Sequence, residues 1–362
     1  MTNPLKTWKG AAAVAVTCVV AVTCAEQNSA QGQGRKPNVT ILATGGTIAG
    51  AAATGTQSGY TSGAVGIDTM VAGVPGITDL ANIKGEQISN VGSQDMSYDI
   101  LLKVAKRINE LAKSNDVDGI VITHGTDTME ESAYFLNLTV KTDKPVVMVG
   151  SMRPSTAVSA DGPLNLYNAV GVAVDPKAKG RGVMVVMNDH IHAAHSLTKT
   201  STTDVQTFMS PLRGLVGVAS YGKNDFYNTP PWKHTTQSEF DIANVTAMPR
   251  VDIIFAGMDT SPALIEASAG GAKGMVIAGV GNGNMNKASV DAAAAAVKKG
   301  VVVVRSSRVT MGLVGRNVEL NDDQLGFIAS DELNPQKSRI LLSLALLKQR
   351  TPQDLQNIFR SY

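Results

Sequence analysis

From Pro37 onwards, short apolar runs alternate with segments in which apolar residues recur every three or four positions. Continuous apolar runs are typical of strands covered on both faces, and the three-to-four spacing is typical of helices that bury one face. Their alternation predicts an α/β fold with a mainly parallel sheet flanked by helices. The predicted strands of this first series are 39–43, 87–91, 119–123, 145–149 and 183–187, and its predicted helices are 97–113 and 161–174.

The periodicity fails between residues 228 and 249, where prolines and scattered polar residues predict a linker. A second α/β series follows it. Its predicted strands are 251–256, 274–278 and 300–305, and its predicted helices are 261–270, 287–299 and 336–349. We therefore predict a larger N-terminal α/β domain at 37–227 and a smaller C-terminal α/β domain at 250–362.

The first 25 residues have the pattern of an export signal. Lys6 and Lys9 form a basic start, and an apolar run follows that is too short for a comfortable membrane span. Small residues favour cleavage after Ala25, and an uncleaved anchor is the alternative. Residues 26–36 then form a polar spacer. Both cysteines, Cys18 and Cys24, precede the cleavage point. We thus predict a periplasmic or secreted protein without disulfides and without a membrane segment after cleavage.

Charge and aromatic content exclude several classes of partner. The chain has 32 basic and 30 acidic residues, and removal of Lys6 and Lys9 leaves 30 of each. Aromatic residues make up only 4% of the chain. A balanced chain with few aromatic side chains has neither the basic surface nor the stacking platforms that nucleic acids require, and it does not favour anionic membranes.

A turn rich in glycine and threonine follows the first predicted strand, from Thr44 to Thr47. Two glycines allow positive φ angles and close backbone approach, and ligands bind at the carboxyl ends of parallel strands. The turn therefore presents a candidate hydroxyl nucleophile, although an ordinary strand–helix turn or a phosphate-binding loop fits the same residues. The segment 47–66 is long, small and polar, which predicts a mobile lid.

The strand at 119–123 ends in a similar turn, which places Thr126 beside Asp127. A threonine hydroxyl needs a base to act as a nucleophile, and Asp127 is badly placed for its immediate neighbour. Asp127 is better suited to orient a lysine or to bind a substrate ammonium, and Lys199 is the candidate lysine. The alternatives are that Asp127 caps a helix and that Lys199 is an ordinary surface lysine.

Together, the segments Thr44-Gly-Gly-Thr-Ile-Ala49 and His124-Gly-Thr-Asp-Thr128 resemble the two signature motifs of the bacterial-type L-asparaginases. The resemblance extends over residues 37–362 and is strongest to the exported type II branch, which includes the glutaminase-asparaginases. It implies hydrolysis of the side-chain amide of L-asparagine to L-aspartate and ammonia. It also implies that the enzyme needs no cofactor and no metal.

The resemblance implies catalytic roles for five residues. Thr47 would be the primary nucleophile and form an acyl-enzyme, and Tyr60 in the lid would help to activate it. Thr126, Asp127 and Lys199 match the second cluster of the family, in which lysine and threonine activate water or relay protons. The sequence leaves open which threonine attacks first.

Substrate binding is implied at five positions. Ser93, Gln94 and Asp127 match residues that hold the α-carboxylate and α-ammonium of the substrate. Asn284 and Glu319 match residues that complete each site across an intimate dimer, and the family's assembly is a homotetramer built from two such dimers. Asp127 and Glu319 would balance the positive charge of the ammonium group.

The chain departs from the family pattern at three places. Ser151 stands where alanine is common, and the lid at 51–59 lacks the charged residues that many members carry. Residues 311–318 replace a more polar, threonine-rich stretch. Backbone N–H groups near Thr47, Thr126 and Ser151 are candidate donors to the oxyanion. Glutamine is longer than asparagine by one methylene, which is worth only about 1–3 kcal/mol of discrimination in a binding pocket. The choice between the two substrates therefore stays open.

Three further features have alternative interpretations. The glycine-rich turn at 279–284 lacks the spacing of a nucleotide-binding loop, so its asparagines are interpreted as groups for a small ligand. His190, His192 and His195 resemble a metal cluster but are predicted to be surface histidines. A non-catalytic amino-acid-binding protein would also have a signal and two α/β domains, but it would need no hydroxyl nucleophile paired with a lysine.

Overall fold

The computed structural model describes residues 35–362. The predicted export signal and most of the predicted spacer lie outside the described residues. Among residues 35–362, no helix combines the length and the apolar character needed to cross a bilayer.

The strands of the described chain fall into an eight-stranded sheet, a four-stranded sheet and a short two-stranded pair. In chain order they are β1 (Asn38–Gly45), β2 (Asn82–Val91), β3 (Gly119–Thr123), β4 (Val146–Val149), β5 (Val183–Met187), β6 (His190–Ala193), β7 (Thr198–Lys199), β8 (Phe208–Met209), β9 (Gly217–Ser220), β10 (Lys223–Phe226), β11 (Val251–Phe255), β12 (Gly274–Gly279), β13 (Val302–Ser307) and β14 (Phe327–Ala329).

The helices cover the faces of the two larger sheets and connect their strands. In chain order they are α1 (Ile67–Ala72), α2 (Ile77–Leu80), α3 (Tyr98–Leu111), α4 (Met129–Thr139), α5 (Gly162–Val174), α6 (Ala263–Ala269), α7 (Lys287–Lys298), α8 (Asp322–Leu325), α9 (Pro335–Ala345) and α10 (Pro352–Ser361). Short 3-10 helices lie at Thr47–Ala49, Ser93–Asp95, Pro176–Ala178 and Thr235–Gln237.

The large sheet has the strand order β10-β9-β6-β5-β4-β3-β1-β2. Strands β2, β1, β3, β4 and β5 are parallel, and the pairs β5–β6, β6–β9 and β9–β10 are antiparallel. The prediction of a mainly parallel sheet flanked by helices is therefore confirmed. Strand β1 lies between β2 and β3, so the chain passes from β1 to β2 on one side and then crosses to β3 on the other side. Such a switch point opens a crevice at the carboxyl ends of the strands.

The four strands of the small sheet are all parallel, in the order β11-β12-β13-β14. The predicted strands 251–256, 274–278 and 300–305 correspond to the first three of them, and β14 is an addition. Residues 228–249 contain the 3-10 helix Thr235–Gln237 and otherwise irregular backbone. The domain boundaries at 227 and 250 stay a prediction.

One apolar core extends from the large sheet to the small one. It includes Phe135 and Leu138 of α4, Val276 of β12, Val304 of β13 and Leu341 of α9, all of them buried. Ten of the eleven residues of helix α4 are buried, among them the polar Glu130, Ser132, Asn137 and Thr139, because this core and its surroundings enclose the helix. Separate clusters fill the opposite faces of the two sheets. The two sheets are thus held together by shared apolar packing.

Candidate active site

The turns that follow β1 and β3 lie directly against each other. Gly45 and Gly46 have φ angles of 106° and 84°, which side chains rarely adopt. A Cβ atom placed on Gly46 would lie 2.2 Å from the backbone nitrogen of Gly125. The Gly46 N–H also donates to the carbonyl of Val91 at the end of β2, at 2.9 Å. Glycine is therefore required here so that three strand ends can converge.

Thr47 begins the first 3-10 helix, and its side chain bonds to a residue of the predicted lid. Its Oγ1 lies 2.7 Å from the Oη of Tyr60. Thr47 is only 8% exposed, whereas Tyr60 is 41% exposed. The Tyr60 ring lies over Gly50, where a Cβ would approach it to 2.8 Å. The structure thus brings these two hydroxyls together. The activation of Thr47 by Tyr60 and the mobility of the lid stay predictions.

Lys199 joins the second threonine turn from β7. Its Nζ donates to Thr126 Oγ1 at 3.0 Å and to Asp127 Oδ1 at 2.6 Å. Because Thr126 Oγ1 accepts this bond, its own hydroxyl proton is free to point elsewhere. The side chain of Lys199 is mostly buried, so it is not an ordinary surface lysine. Asp127 is not a helix cap either, since Thr128 holds the N-cap position of α4.

Ser93 lies in the 3-10 helix after β2 and ties that strand end to the second turn. Its Oγ accepts a hydrogen bond from the Asp127 N–H at 3.1 Å, and its carbonyl accepts one from Thr128 Oγ1 at 2.7 Å. The neighbouring Gln94 is exposed and folds back towards Gly92. Ser93 therefore belongs to the same cluster as Asp127.

His124 of the second turn and Ser151, which follows β4, are two further buried side chains. His124 is fully buried, its Nδ1 is 2.6 Å from the carbonyl of Gly125, and burial lowers its pKa to about 4. The ring is thus neutral at neutral pH and holds the turn by a hydrogen bond. Ser151 is also buried, and its Oγ donates to the carbonyl of Arg153 at 2.7 Å. The Ser151 hydroxyl is therefore engaged by its own loop.

Asn284 and Glu319 form a separate pair in the C-terminal part of the chain. Asn284 Nδ2 donates to Glu319 Oε2 at 2.7 Å. Within residues 35–362, no hydrogen bond or ion pair joins this pair to Thr47, Thr126 or Lys199. The structure thus brings the two residues to each other and not to the threonine turns of the same chain.

The prediction of a surface histidine cluster is wrong for two of the three residues. His190 and His192 do face the same side of β6, with ring centroids 5.8 Å apart. His192 is buried against Ser210, however, and His195 is buried in a stack on Trp232 with centroids 3.5 Å apart. Burial lowers the pKa of His192 to about 3. Within residues 35–362, no group of three or more His, Cys, Asp or Glu side chains is arranged to hold a metal ion.

A buried lysine near the second cluster was not among the residues predicted from the sequence. Lys337 of α9 donates to the carbonyls of His195 and Leu197, two residues before Lys199. Burial lowers its pKa to about 8. Nothing in the spacing around Lys337 distinguishes it from a solvated helix lysine. An open cavity of about 410 Å³ adjoins Asp127, Lys199 and Glu130.

Comparisons with known protein families cover almost all of the described chain. Residues 38–232 match the family model described as "Asparaginase, N-terminal". Residues 250–359 match the model described as "Glutaminase/Asparaginase C-terminal domain".

Individual relatives are similar over comparable lengths. "L-asparaginase 2" of Escherichia coli (strain K12) is 52% identical over 90% of this chain and 93% of its own length. "Glutaminase-asparaginase" of Pseudomonas fluorescens biotype A is 44% identical over the full length of both chains. Among solved structures, a "probable cytoplasmic L-asparaginase" of Campylobacter jejuni matches with a TM-score of 0.88 and 48% identity. That match covers 90% of this chain and all of the other.

Proposed function

This chain belongs to the asparaginase family and hydrolyses the side-chain amide of L-asparagine to L-aspartate and ammonia, and we propose that it does so through an acyl-enzyme on Thr47. The observation that carries this proposal is the pair of threonine turns packed back to back at the carboxyl ends of β1 and β3. One turn pairs its hydroxyl with a phenol, and the other pairs its hydroxyl with a lysine and a carboxylate.

In the first step, Thr47 Oγ1 attacks the amide carbon of the substrate. The C–N bond then breaks, and the hydroxyl proton of Thr47 passes to the departing nitrogen, which leaves as ammonia. Tyr60 Oη is 2.7 Å from Thr47 Oγ1 and can relay this proton. Backbone N–H groups of the glycine turns supply donors to the oxyanion that forms on the amide oxygen.

In the second step, water hydrolyses the ester on Thr47 and releases L-aspartate. Water gives its hydroxyl to the acyl carbon and its proton to Thr47 Oγ1. Thr126 is the group to orient this water, because Lys199 occupies one lone pair of its hydroxyl and leaves the proton free. Asp127 offsets the charge of Lys199 in the same contact. In this mechanism the first turn serves acylation and the second turn serves hydrolysis of the acyl-enzyme.

The amino-acid end of the substrate is proposed to bind at the edge of the second turn. Ser93 and Gln94 offer a hydroxyl and an amide to the α-carboxylate, and Asp127 offers a carboxylate to the α-ammonium. Asn284 and Glu319 pair with each other away from the threonine turns. We therefore propose that these two complete the site of a second copy, in a homotetramer built from intimate dimers.

A glutaminase-asparaginase is the second candidate function. The relative from Pseudomonas fluorescens with that name aligns over the full length of this chain. Residues 311–318, which precede Glu319, carry exposed Met311, Leu313 and Val318 and so differ from a polar stretch. Comparable rates with L-asparagine and L-glutamine would establish this function.

Export is proposed from the N-terminal residues alone. Lys6, Lys9 and the apolar run up to Cys24 have the order of a signal peptide. A periplasmic or secreted location follows from cleavage after Ala25. Mass spectrometry of the protein recovered from a bacterial periplasm should give a chain beginning at Glu26, and an intact Met1 start would contradict this.

The central experiment measures ammonia release by the purified protein from L-asparagine and from L-glutamine. Thr47→Ala should abolish turnover while L-aspartate still binds in a calorimetric titration. Thr54→Ala is the matched control, because Thr54 is an exposed threonine of the same lid. Binding without turnover in the unaltered protein would instead show a non-catalytic amino-acid-binding protein. Full turnover by Thr47→Ala would assign the nucleophile elsewhere.

A further inference from the structure

A buried ion pair lies beneath the C-terminal residues proposed to contact the substrate. Arg305 of β13 is 1% exposed, and it is bidentate to Asp322 at the start of α8. Its Nε donates to Asp322 Oδ1 at 2.6 Å and its Nη2 donates to Asp322 Oδ2 at 2.7 Å. A buried pair of this kind is weak evidence for stability by itself, so its other contacts need an explanation.

The remaining donors of Arg305 reach two different loops. Its Nη1 donates to the carbonyls of Asn282 and Gly283, at 2.9 Å and 3.4 Å. Its Nη2 donates to the carbonyl of Gly315 at 3.0 Å. The first loop ends at Asn284, and the second leads to Glu319. One guanidinium group therefore holds both loops that carry the proposed substrate residues.

Two direct contacts reinforce the same junction. The N–H of Gly315 donates to Asn282 Oδ1 at 2.8 Å. The N–H of Asn317 donates to Asp322 Oδ2, also at 2.8 Å. The pair Asn284–Glu319 lies at the outer end of this network. The position of each side chain relative to the other thus depends on how Arg305 and Asp322 hold the backbone beneath them.

We propose that Arg305 is a positioning residue for substrate binding, because its guanidinium fixes the spacing between Asn284 and Glu319. This inference rests on the proposed role of those two residues. Only arginine offers several donors in one rigid plane, so a lysine cannot contact Asp322 and both loops together. Arg305 does not touch Thr47 or Thr126. Its loss should therefore weaken substrate binding and leave the chemical step nearly intact.

The test compares KM and kcat for L-asparagine in two variants. Arg305→Lys keeps the positive charge and removes the planar guanidinium group with its several donors. The double variant Arg305→Met/Asp322→Asn avoids an unpaired buried carboxylate, and its asparagine can still accept from the Asn317 N–H. We expect KM, and the Kd for L-aspartate, to rise by about tenfold or more in both variants, with kcat within about threefold.

Arg339→Met is the control for stability. Arg339 of α9 is a partly buried arginine that pairs with Glu131 and contacts neither loop. Its loss should lower the melting temperature and leave KM unchanged. If Arg305→Lys and the double variant melt no lower than Arg339→Met and yet keep the original KM, the inference is overturned.

Two benchmark variants separate this inference from the function it rests on. Asn284→Ala and Glu319→Ala should each raise KM if these residues bind substrate. Unchanged KM in both would overturn the proposed binding role, and with it the role of Arg305. Raised KM in both, with the original KM retained in the Arg305 variants, would overturn only the positioning role.

Discussion

Replacement of Gly46 by alanine tests whether the two threonine turns must touch. Gly46 has φ 84° and ψ −176°, a conformation that is essentially restricted to glycine. An added Cβ would lie 2.2 Å from the nitrogen of Gly125, 2.5 Å from its Cα and 2.8 Å from the carbonyl carbon of His124. All three atoms belong to backbone, so no side chain can rotate out of the way.

The expected loss of stability has two sources. The backbone conformation costs an alanine about 1–3 kcal/mol. The contact with Gly125 requires the turns to move apart by roughly 1 Å, at a further cost of about 1–3 kcal/mol typical of overpacking. The free energy of unfolding should therefore fall by roughly 2–6 kcal/mol, which most native proteins survive at 25 °C. A displacement of roughly 1 Å between reacting groups should lower kcat by about a hundredfold.

The assay combines urea denaturation with ammonia release from L-asparagine. Gly180→Ala is the matched control, because Gly180 has φ 69° and no atom lies within 4 Å of an added Cβ. It should lose only about 1–2 kcal/mol through backbone strain and keep its kcat. The reasoning is refuted if Gly46→Ala is no less stable than Gly180→Ala and its kcat stays within twofold of the unaltered enzyme.

Two further predictions concern the replacement of Lys199 and of His192. Lys199→Met should lower kcat by about a hundredfold or more with little change in stability, because it removes both hydrogen bonds to the second turn. The control Lys287→Met breaks an exposed ion pair with Asp291 and should leave kcat unchanged in the same ammonia assay. His192 has its pKa lowered to about 3, chiefly by burial and then by the charges of His190 and Lys337. Between pH 6.5 and about 3 the unfolded chain therefore binds a proton that the folded chain does not. As the pH is lowered through this range, the free energy of unfolding falls by up to about 5 kcal/mol. His192→Asn should shift the acid-unfolding midpoint, followed by circular dichroism, to lower pH. An unchanged midpoint contradicts the assignment.

The parallel core could be predicted because its strands are continuous apolar runs. The predicted strands 119–123 and 183–187 coincide with β3 and β5. The predicted strand 87–91 covers only the second half of β2, whose first half is polar because the strand lies at the sheet edge. Strands β6–β10 have two to four residues each, which is too few to show an apolar run or a regular alternation of apolar and polar residues.

Helix α4 was harder to predict than its length suggests. It is buried on nearly every side, and its buried polar residues Glu130, Ser132, Asn137 and Thr139 interrupt the apolar spacing that would mark a helical period. Helix α10, in contrast, carries a signal that could have located it, because Thr351 and Asp354 form a capping box with Pro352 at the first position.

The site could be predicted only as far as local motifs reach. Each threonine turn follows an apolar strand, so its position in the fold follows from the sequence. The bond between Lys199 and Thr126 spans 73 positions, so local spacing does not specify it, and Lys199 was named only because Asp127 suits a lysine partner and because the family resemblance groups these residues. The burial of His195 depends on Trp232, 37 positions later, which is why a surface position was the wrong prediction. The catalytic and binding roles of the site residues stay predictions.

The apolar core shared by the two sheets has a thermodynamic consequence. Residues 36–362 form one compact unit, although two family models divide the same chain. If the small sheet and α9 came away, Phe135 and Leu138 of α4 would lose part of the packing that buries them. The free energies of the two domains are therefore coupled rather than independent. The geometry of the threonine turns therefore depends on the stability of both domains. A substitution in the C-terminal domain can disturb that geometry without contacting the site.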